Sequence, residues 1–180
     1  KFQFYQQIFI LNILYYTNME IRKAKLSDVN SILKLFLDFV KEHNNTVISK
    51  SPEKKKRREL INNFKEISRD NIKKMIRSKN NSIFLAFENE NIIGFNFNSI
   101  KKYDDSIKLK NYGSIEDIYV ISDFRGKKVS SKLRDKAIYW LKKKSMKYVA
   151  ISFNSENKIA HKIYKNWGFS DEYTEMWKKI

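Results

Sequence analysis

A chain of 180 residues is the size of one domain and long enough to bury a core. Its 42% hydrophobic and 14% aromatic content excludes compositional disorder. The absence of cysteine excludes disulfides, cysteine-ligated zinc and a thiol nucleophile, and with two histidines a histidine metal centre has little to build on.

Residues 1–18, apolar but broken by Gln6, Gln7 and Asn12, are too short and too polar to span a bilayer. They read as an extension, with the domain proper over residues 19–180. Met19–Ala24 alternates as a strand, and Ser27 reads as the cap of a helix carrying Val29, Ile32, Leu33, Phe36 and Val40 on one face. A second helix opens at Ser51-Pro52-Glu53, with Lys54–Arg58 on its solvated side and Leu60, Ile61, Phe64 and Ile67 on its buried side. Helical spacing continues over Asn71–Arg77. Ser82–Glu88 and Ile92–Ile100 then form a hairpin in which Gly94 marks a bulge or close contact.

Tyr112–Ile121 reads as the central strand. It is followed by a polar turn and a helix from Lys127 with Val129, Leu133, Ala137, Trp140 and Leu141 on one stripe. Tyr148–Phe153 is a further strand, Asn157–Trp167 a helix stopped by Gly168, and Phe169–Ile180 a final strand. The order β-α-α-β-β-β-α-β-α-β predicts a mixed α/β fold with a mostly antiparallel central sheet and flanking helices.

The turn from strand to helix is suited to an anion. The first N–H groups of a helix lack internal acceptors, the dipole there is positive, and Arg125, Lys127 and Lys128 add charge. The segment Phe124-Arg125-Gly126-Lys127-Lys128-Val129-Ser130-Ser131-Lys132-Leu133 resembles motif A of the GNAT superfamily of N-acetyltransferases, Arg/Gln-x-x-Gly-x-Gly/Ala. Lys128 and Ser130 replace both of its signature glycines. Asn157, Ala160, Tyr164, Gly168 and Phe169 resemble motif B, N-x-x-A-x-x-x-Y-x-x-x-G-F.

The resemblance implies the GNAT fold and acetyl transfer from acetyl-CoA, without a metal, to an amine of a small molecule or protein. It implies a pyrophosphate site at Arg125, Gly126, Lys127, Lys128, Val129, Ser130 and Ser131. The strand residues Ile118, Tyr119 and Val120 would lie along the cofactor, with a backbone N–H near Val120 serving the oxyanion. Asn157 would meet the pantetheine arm, and Ala160 would leave it room. Glu116 matches the carboxylate that spermidine/spermine acetyltransferase-like members carry, which takes the amine proton. Tyr164 would return a proton to the CoA thiolate. Asp117, next along the strand, should face away from Glu116 unless a bulge intervenes.

Two alternatives compete. A GNAT-fold regulatory module with weak or lost CoA binding is motivated by Lys128 and Ser130. A nucleic-acid-binding protein is motivated by the net charge of +17 and ranks last, because no DNA or RNA motif accompanies it. Lys, Asn and Ile usage reads instead as coding bias. A cytoplasmic location is expected, no membrane span is, and a homodimer stays open. Deleting residues 1–18 is expected to leave the thermal transition nearly unchanged; a large loss of stability would show that they pack as core or interface.

Overall fold

Alternating apolar residues and a two-residue turn organise the first half of the sheet. In the computed structural model, which describes residues 19–48 and 51–180, β1 (Met19–Lys23) pairs antiparallel with β2 (Asn81–Glu88). β2 turns through Asn89 and Glu90 into β3 (Asn91–Lys102), with Asn89 in the left-handed region at φ 47°. Asparagine tolerates that conformation, so the hairpin closes without glycine. β4 (Asn111–Val120) pairs antiparallel with β3 and parallel with β5 (Val149–Ile151), giving one sheet in the order β1-β2-β3-β4-β5.

Helices cover both faces. α1 (Val29–His43) and α3 (Phe64–Arg77) bury Ile32, Leu33 and Ile72 against Ile83, Leu85, Phe95 and Phe97. On the opposite face, α4 (Val129–Lys143) buries Val129 and Leu133 against Phe84, Ala86, Ile93 and Val120. Alternate residues along each strand therefore serve different layers. α4 is also fixed by a polar contact, since Asn96 Nδ2 donates to the Leu133 carbonyl at 2.8 Å. The mixed α/β reading holds, and the remaining helices are α2 (Pro52–Arg57) and α5 (Lys158–Asn166).

Several boundaries differ from the sequence reading. Three helices, not two, separate β1 from β2, because the chain breaks helical form over residues 58–63. Leu60, Ile61 and Ile67, expected inside, are exposed, and Ser68 and Ile72 are buried instead. Ser27 does not cap α1. Asp28 organises that turn by accepting from the Lys25 N–H at 2.7 Å and pairing with Arg22 at 2.8 Å through both guanidinium nitrogens. β5 is three residues long, shorter than Tyr148–Phe153. The final strand over Phe169–Ile180 is not formed. That segment is held by side chains, with Asp171 on His161 and Lys165 and Trp177 under Arg57, and charged residues interrupt its apolar ones. The reading of residues 1–18 lies outside the described residues.

Gly94 combines both features expected of it. The ladder between β2 and β3 slips beside it, pairing Ala86 with Gly94 and Phe87 with Ile92. A Cβ on Gly94 would stand 2.7 Å from the Tyr119 carbonyl oxygen. Gly94→Ala should therefore push β3 from β4 and cost about 1–3 kcal/mol, read as a lower thermal midpoint. An unchanged midpoint would show that the strand pair accommodates the methyl group.

Candidate active site

The site grows from two irregularities in β4. The first is its parting from β5. The strands pair only from Gly113 with Val149 to Ile115 with Ile151, after which β4 runs on for five residues without that neighbour. The Ile121 N–H bonds the Ile93 carbonyl. Bonded positions recur every second residue in an antiparallel ladder, so residues 117, 119 and 121 turn their backbone toward β3. The N–H groups of Ile118 and Val120 then face the opening between β4 and β5. The Val120 carbonyl on that side accepts from Arg125 Nε at 2.9 Å.

The second irregularity is a β-bulge at Glu116. Ile115 pairs with Asn98 and Asp117 with Phe97, leaving Glu116 without an opposite residue. The bulge brings the side chains of Glu116 and Asp117 to the same face, the one covered by α1 and α3. Glu116 Oε1 accepts from Ser99 Oγ at 2.5 Å and lies 2.9 Å from Lys101 Nζ. Burial works to raise the Glu116 carboxyl, but the hydrogen bonds of Ser99 and Lys101 outweigh it and hold the group below its ordinary value. Asp117 has no hydrogen bond or ion pair among the described residues. Burial, and then the adjacent Glu116 charge, push it up to about 6.

Tyr164 approaches from α5. Asn157 caps that helix by accepting the Ala160 N–H on Oδ1 at 3.0 Å, which leaves its NH2 group available to a ligand. At the other end Gly168, at φ 88°, closes the helix as Phe169 N–H bonds the Tyr164 carbonyl and Gly168 N–H that of Lys165. Tyr164 rests against Phe153, Trp167 and Phe169. Burial and then the charge of Asp117 push its phenol up to about 12, so it stays protonated through the neutral range. His161, on the same helix, is satisfied by Asp171 at 2.8 Å.

At the head of α4 the turn has the conformation a phosphate cradle needs. Gly126 stands at φ 75° and Lys128 at φ 59°, and the first helical bond in the turn runs from Lys132 N–H to the Lys128 carbonyl. The N–H groups of Val129, Ser130 and Ser131 have no acceptor among the described residues. Successive left- and right-handed residues with free N–H groups form a concave anion site. The family's glycine at position 128 thus has a conformational reason besides close approach, and this chain places lysine there, at a cost on the order of 1–2 kcal/mol.

Arg125 sits at the turn as the sequence suggests, but its guanidinium is engaged elsewhere. It donates to Glu42 at 2.7 Å and lies over the Tyr119 ring. Glu42 also accepts from the Tyr119 hydroxyl at 3.1 Å, so one carboxylate ties α1 to the end of β4 and to the turn. Lys127 Nζ lies over the Phe124 ring. Sequence reasoning missed Ser99 and Lys101, which act through strand register, and the part played by Glu42. Among the described residues no group of histidine, cysteine, aspartate and glutamate could hold a metal.

A family model described as the acetyltransferase (GNAT) family matches residues 41–169. A stretch of 76 residues, 42% of the chain, is 33% identical to an uncharacterized N-acetyltransferase of Methanocaldococcus jannaschii and spans 34% of that protein's length. Among solved structures, the aminoglycoside N-acetyltransferase AAC(6')-Iy in complex with CoA superposes with a TM-score of 0.69 at 18% identity, covering 89% of this chain and 94% of that one. A predicted acetyltransferase of Clostridium acetobutylicum, with acetyl-CoA, gives 0.69 at 16% identity over 90% of this chain and 95% of that one. The aminoglycoside 6'-N-acetyltransferase AAC(6')-Ih of Acinetobacter baumannii gives 0.66 at 18% over 90% and 98%. At such identities the structural likenesses speak to fold.

Asp117 gives the site a pH signature. Its carboxyl titrates near 3.8 when unfolded and about 6 when folded. The folded state therefore binds more protons between those values, and the wild type loses stability as pH rises through that window. The stability of Asp117→Asn relative to wild type should rise from pH 4 to pH 7 in denaturant titrations. A constant difference would show that Asp117 ionises as it does in solvent.

Proposed function

The chain belongs to the acetyltransferase (GNAT) family, and on that premise we propose that it transfers the acetyl group of acetyl-CoA to a primary amine. The observation that carries this reading is the joint presence of an open backbone edge at Ile118 and Val120 and an anion cradle at the head of α4, joined by the same strand and turn. The pyrophosphate would rest on the N–H groups from Gly126 to Ser131, with the Lys128 ammonium adding charge. The pantetheine arm would run along Ile118, Tyr119 and Val120, bonding their outward backbone groups, with Asn157 and Ala160 on its other side.

The thioester carbonyl would then meet the Val120 or Ile118 N–H. These donors are fixed by the sheet and need no rearrangement as charge develops on the oxygen. Tyr164, whose phenol keeps its proton, would supply the donor that a leaving sulfur needs. The carboxylates at the bulge, Glu116 and Asp117, face the side from which an amine would enter. Glu42 and Glu116 are each paired with a cation, Arg125 and Lys101, whereas Asp117 has no such partner among the described residues. That arrangement favours an acceptor with one ammonium over a polyamine.

Isothermal titration with acetyl-CoA, followed by a screen of primary amines that includes aminoglycosides and lysine peptides, tests the proposal. Saturable binding with release of CoA thiol supports it; absence of binding would favour a GNAT-fold module without the cofactor. Lys128→Gly separates the two roles of that lysine. It should relieve the left-handed backbone and raise the thermal midpoint, while leaving CoA affinity level or modestly lower and less dependent on salt. If Lys128→Gly with Ser130→Gly instead creates strong binding where wild type shows none, Lys128 blocks the site.

A further inference from the structure

The two carboxylates at the bulge are not equivalent. Glu116 is committed: one of its oxygens receives both the Ser99 hydroxyl and the Lys101 ammonium. A carboxylate so stabilised gains little by taking another proton. Asp117 faces the same side without any such partner among the described residues, and it is only partly exposed. Burial, and then the Asp117 charge, push the phenol of Tyr164 on α5 up.

We propose that Asp117, not Glu116, is the proton acceptor for the amine. The inference rests on the acetyl-transfer reading above. The acceptor enters as the neutral amine, its ammonium proton having gone to solvent. Nitrogen attacks the thioester carbon, and the carbonyl pair moves to oxygen against the β4 N–H donors. The nitrogen, now cationic, gives a proton to the Asp117 carboxylate. The C–S bond breaks with its electron pair on sulfur, which takes the Tyr164 proton. Asp117 then gives its proton to solvent, and the phenolate takes one back from solvent. One N–C bond forms, one C–S bond breaks, and the proton lost by nitrogen balances the one gained by sulfur.

Glu116 acts as a positioning residue in this scheme. Fixed by Ser99 and Lys101, it holds a negative charge beside Asp117 and so keeps Asp117 basic enough to accept a proton near neutrality. Among the described residues, other charged or titratable groups toward this face include Lys101 of β3, engaged with Glu116, Tyr119, which leads to Glu42 and Arg125, and on α1 Asp38, whose charge acts on Tyr119, and His43, packed on Phe39.

The test compares Asp117→Asn, Asp117→Glu and Glu116→Gln with wild type, using the amine that the screen identifies and acetyl-CoA titration as the check that each variant folds. Asp117→Asn should lower kcat by about 10²–10⁴-fold and abolish the acid limb of its pH profile, with partial recovery in Asp117→Glu. Glu116→Gln should lower kcat by less than about tenfold and move the acid limb to lower pH, because the charge opposing Asp117 ionisation is gone. The ¹³C carboxyl signal of Asp117 should titrate above the ordinary aspartate range in wild type and fall toward it in Glu116→Gln. Loss of the acid limb in Glu116→Gln, or its retention with near-wild-type kcat in Asp117→Asn, overturns the assignment. A wild type that binds no acetyl-CoA and acetylates no amine overturns the underlying reading and this one with it.

Discussion

The constraint on which the site depends is the hydrogen-bonding of one strand. β4 must satisfy its backbone on both edges, and it does so with β3 along its length but with β5 over three residues only. Beyond Ile115 its outer edge carries peptide groups that a folded chain would ordinarily pair or expose to water. An extended ligand along that edge can complete the sheet as a further strand would. The bulge is set at the point where the strands part. It inserts one residue, brings two carboxylates to one face and leaves the outer edge open where the strand ends. The departure from regular pairing and the gathering of chemical groups are therefore one event in the backbone.

The end of β4 is stabilised by a device that uses charge sparingly. Glu42 receives both the Tyr119 hydroxyl and the Arg125 guanidinium, while Arg125 also covers the Val120 carbonyl. Burial, then the Glu42 carboxylate, push the Tyr119 phenol up, and the Arg125 hydrogen bond holds the Glu42 carboxyl down. An exposed ion pair contributes little to stability by itself. Here its value is geometric, because α1, the strand end and the turn into α4 meet at one carboxylate. Arg125 thus shapes the turn at the head of α4, where the lysines and the helix dipole add positive charge.

Much of this was legible in the residues. The strand–turn–helix over Ile115 to Leu133, the stripe Val129, Leu133, Ala137, Leu141, the hairpin at Asn89 and the stop at Gly168 all follow from local rules of period, capping and turn conformation, and each is formed. What the residues did not disclose depends on register. Strict alternation puts Asp117 opposite to Glu116, and nothing in IEDIYV signals the extra residue that brings them together. Ser99 and Lys101 belong to the same gap, since only the pairing of β3 with β4 brings them to Glu116. The final strand failed for a related reason: three residues of β5 offer little template, and the side chains of Asp171 and Trp177 found partners other than a strand.

α5 has no buried residue, and Ile159 on it is 77% exposed. A nine-residue helix is too short to hold itself together in water, so its persistence comes from the Asn157 cap, the Gly168 stop and the aromatic contacts of Tyr164. Such an element opens at far lower free energy than the sheet beneath it, and its amide hydrogens exchange with solvent while those of β3 and β4 remain protected. Tyr164 therefore rides on a helix held by its two ends and a few ring contacts, which can open without any unfolding of the core.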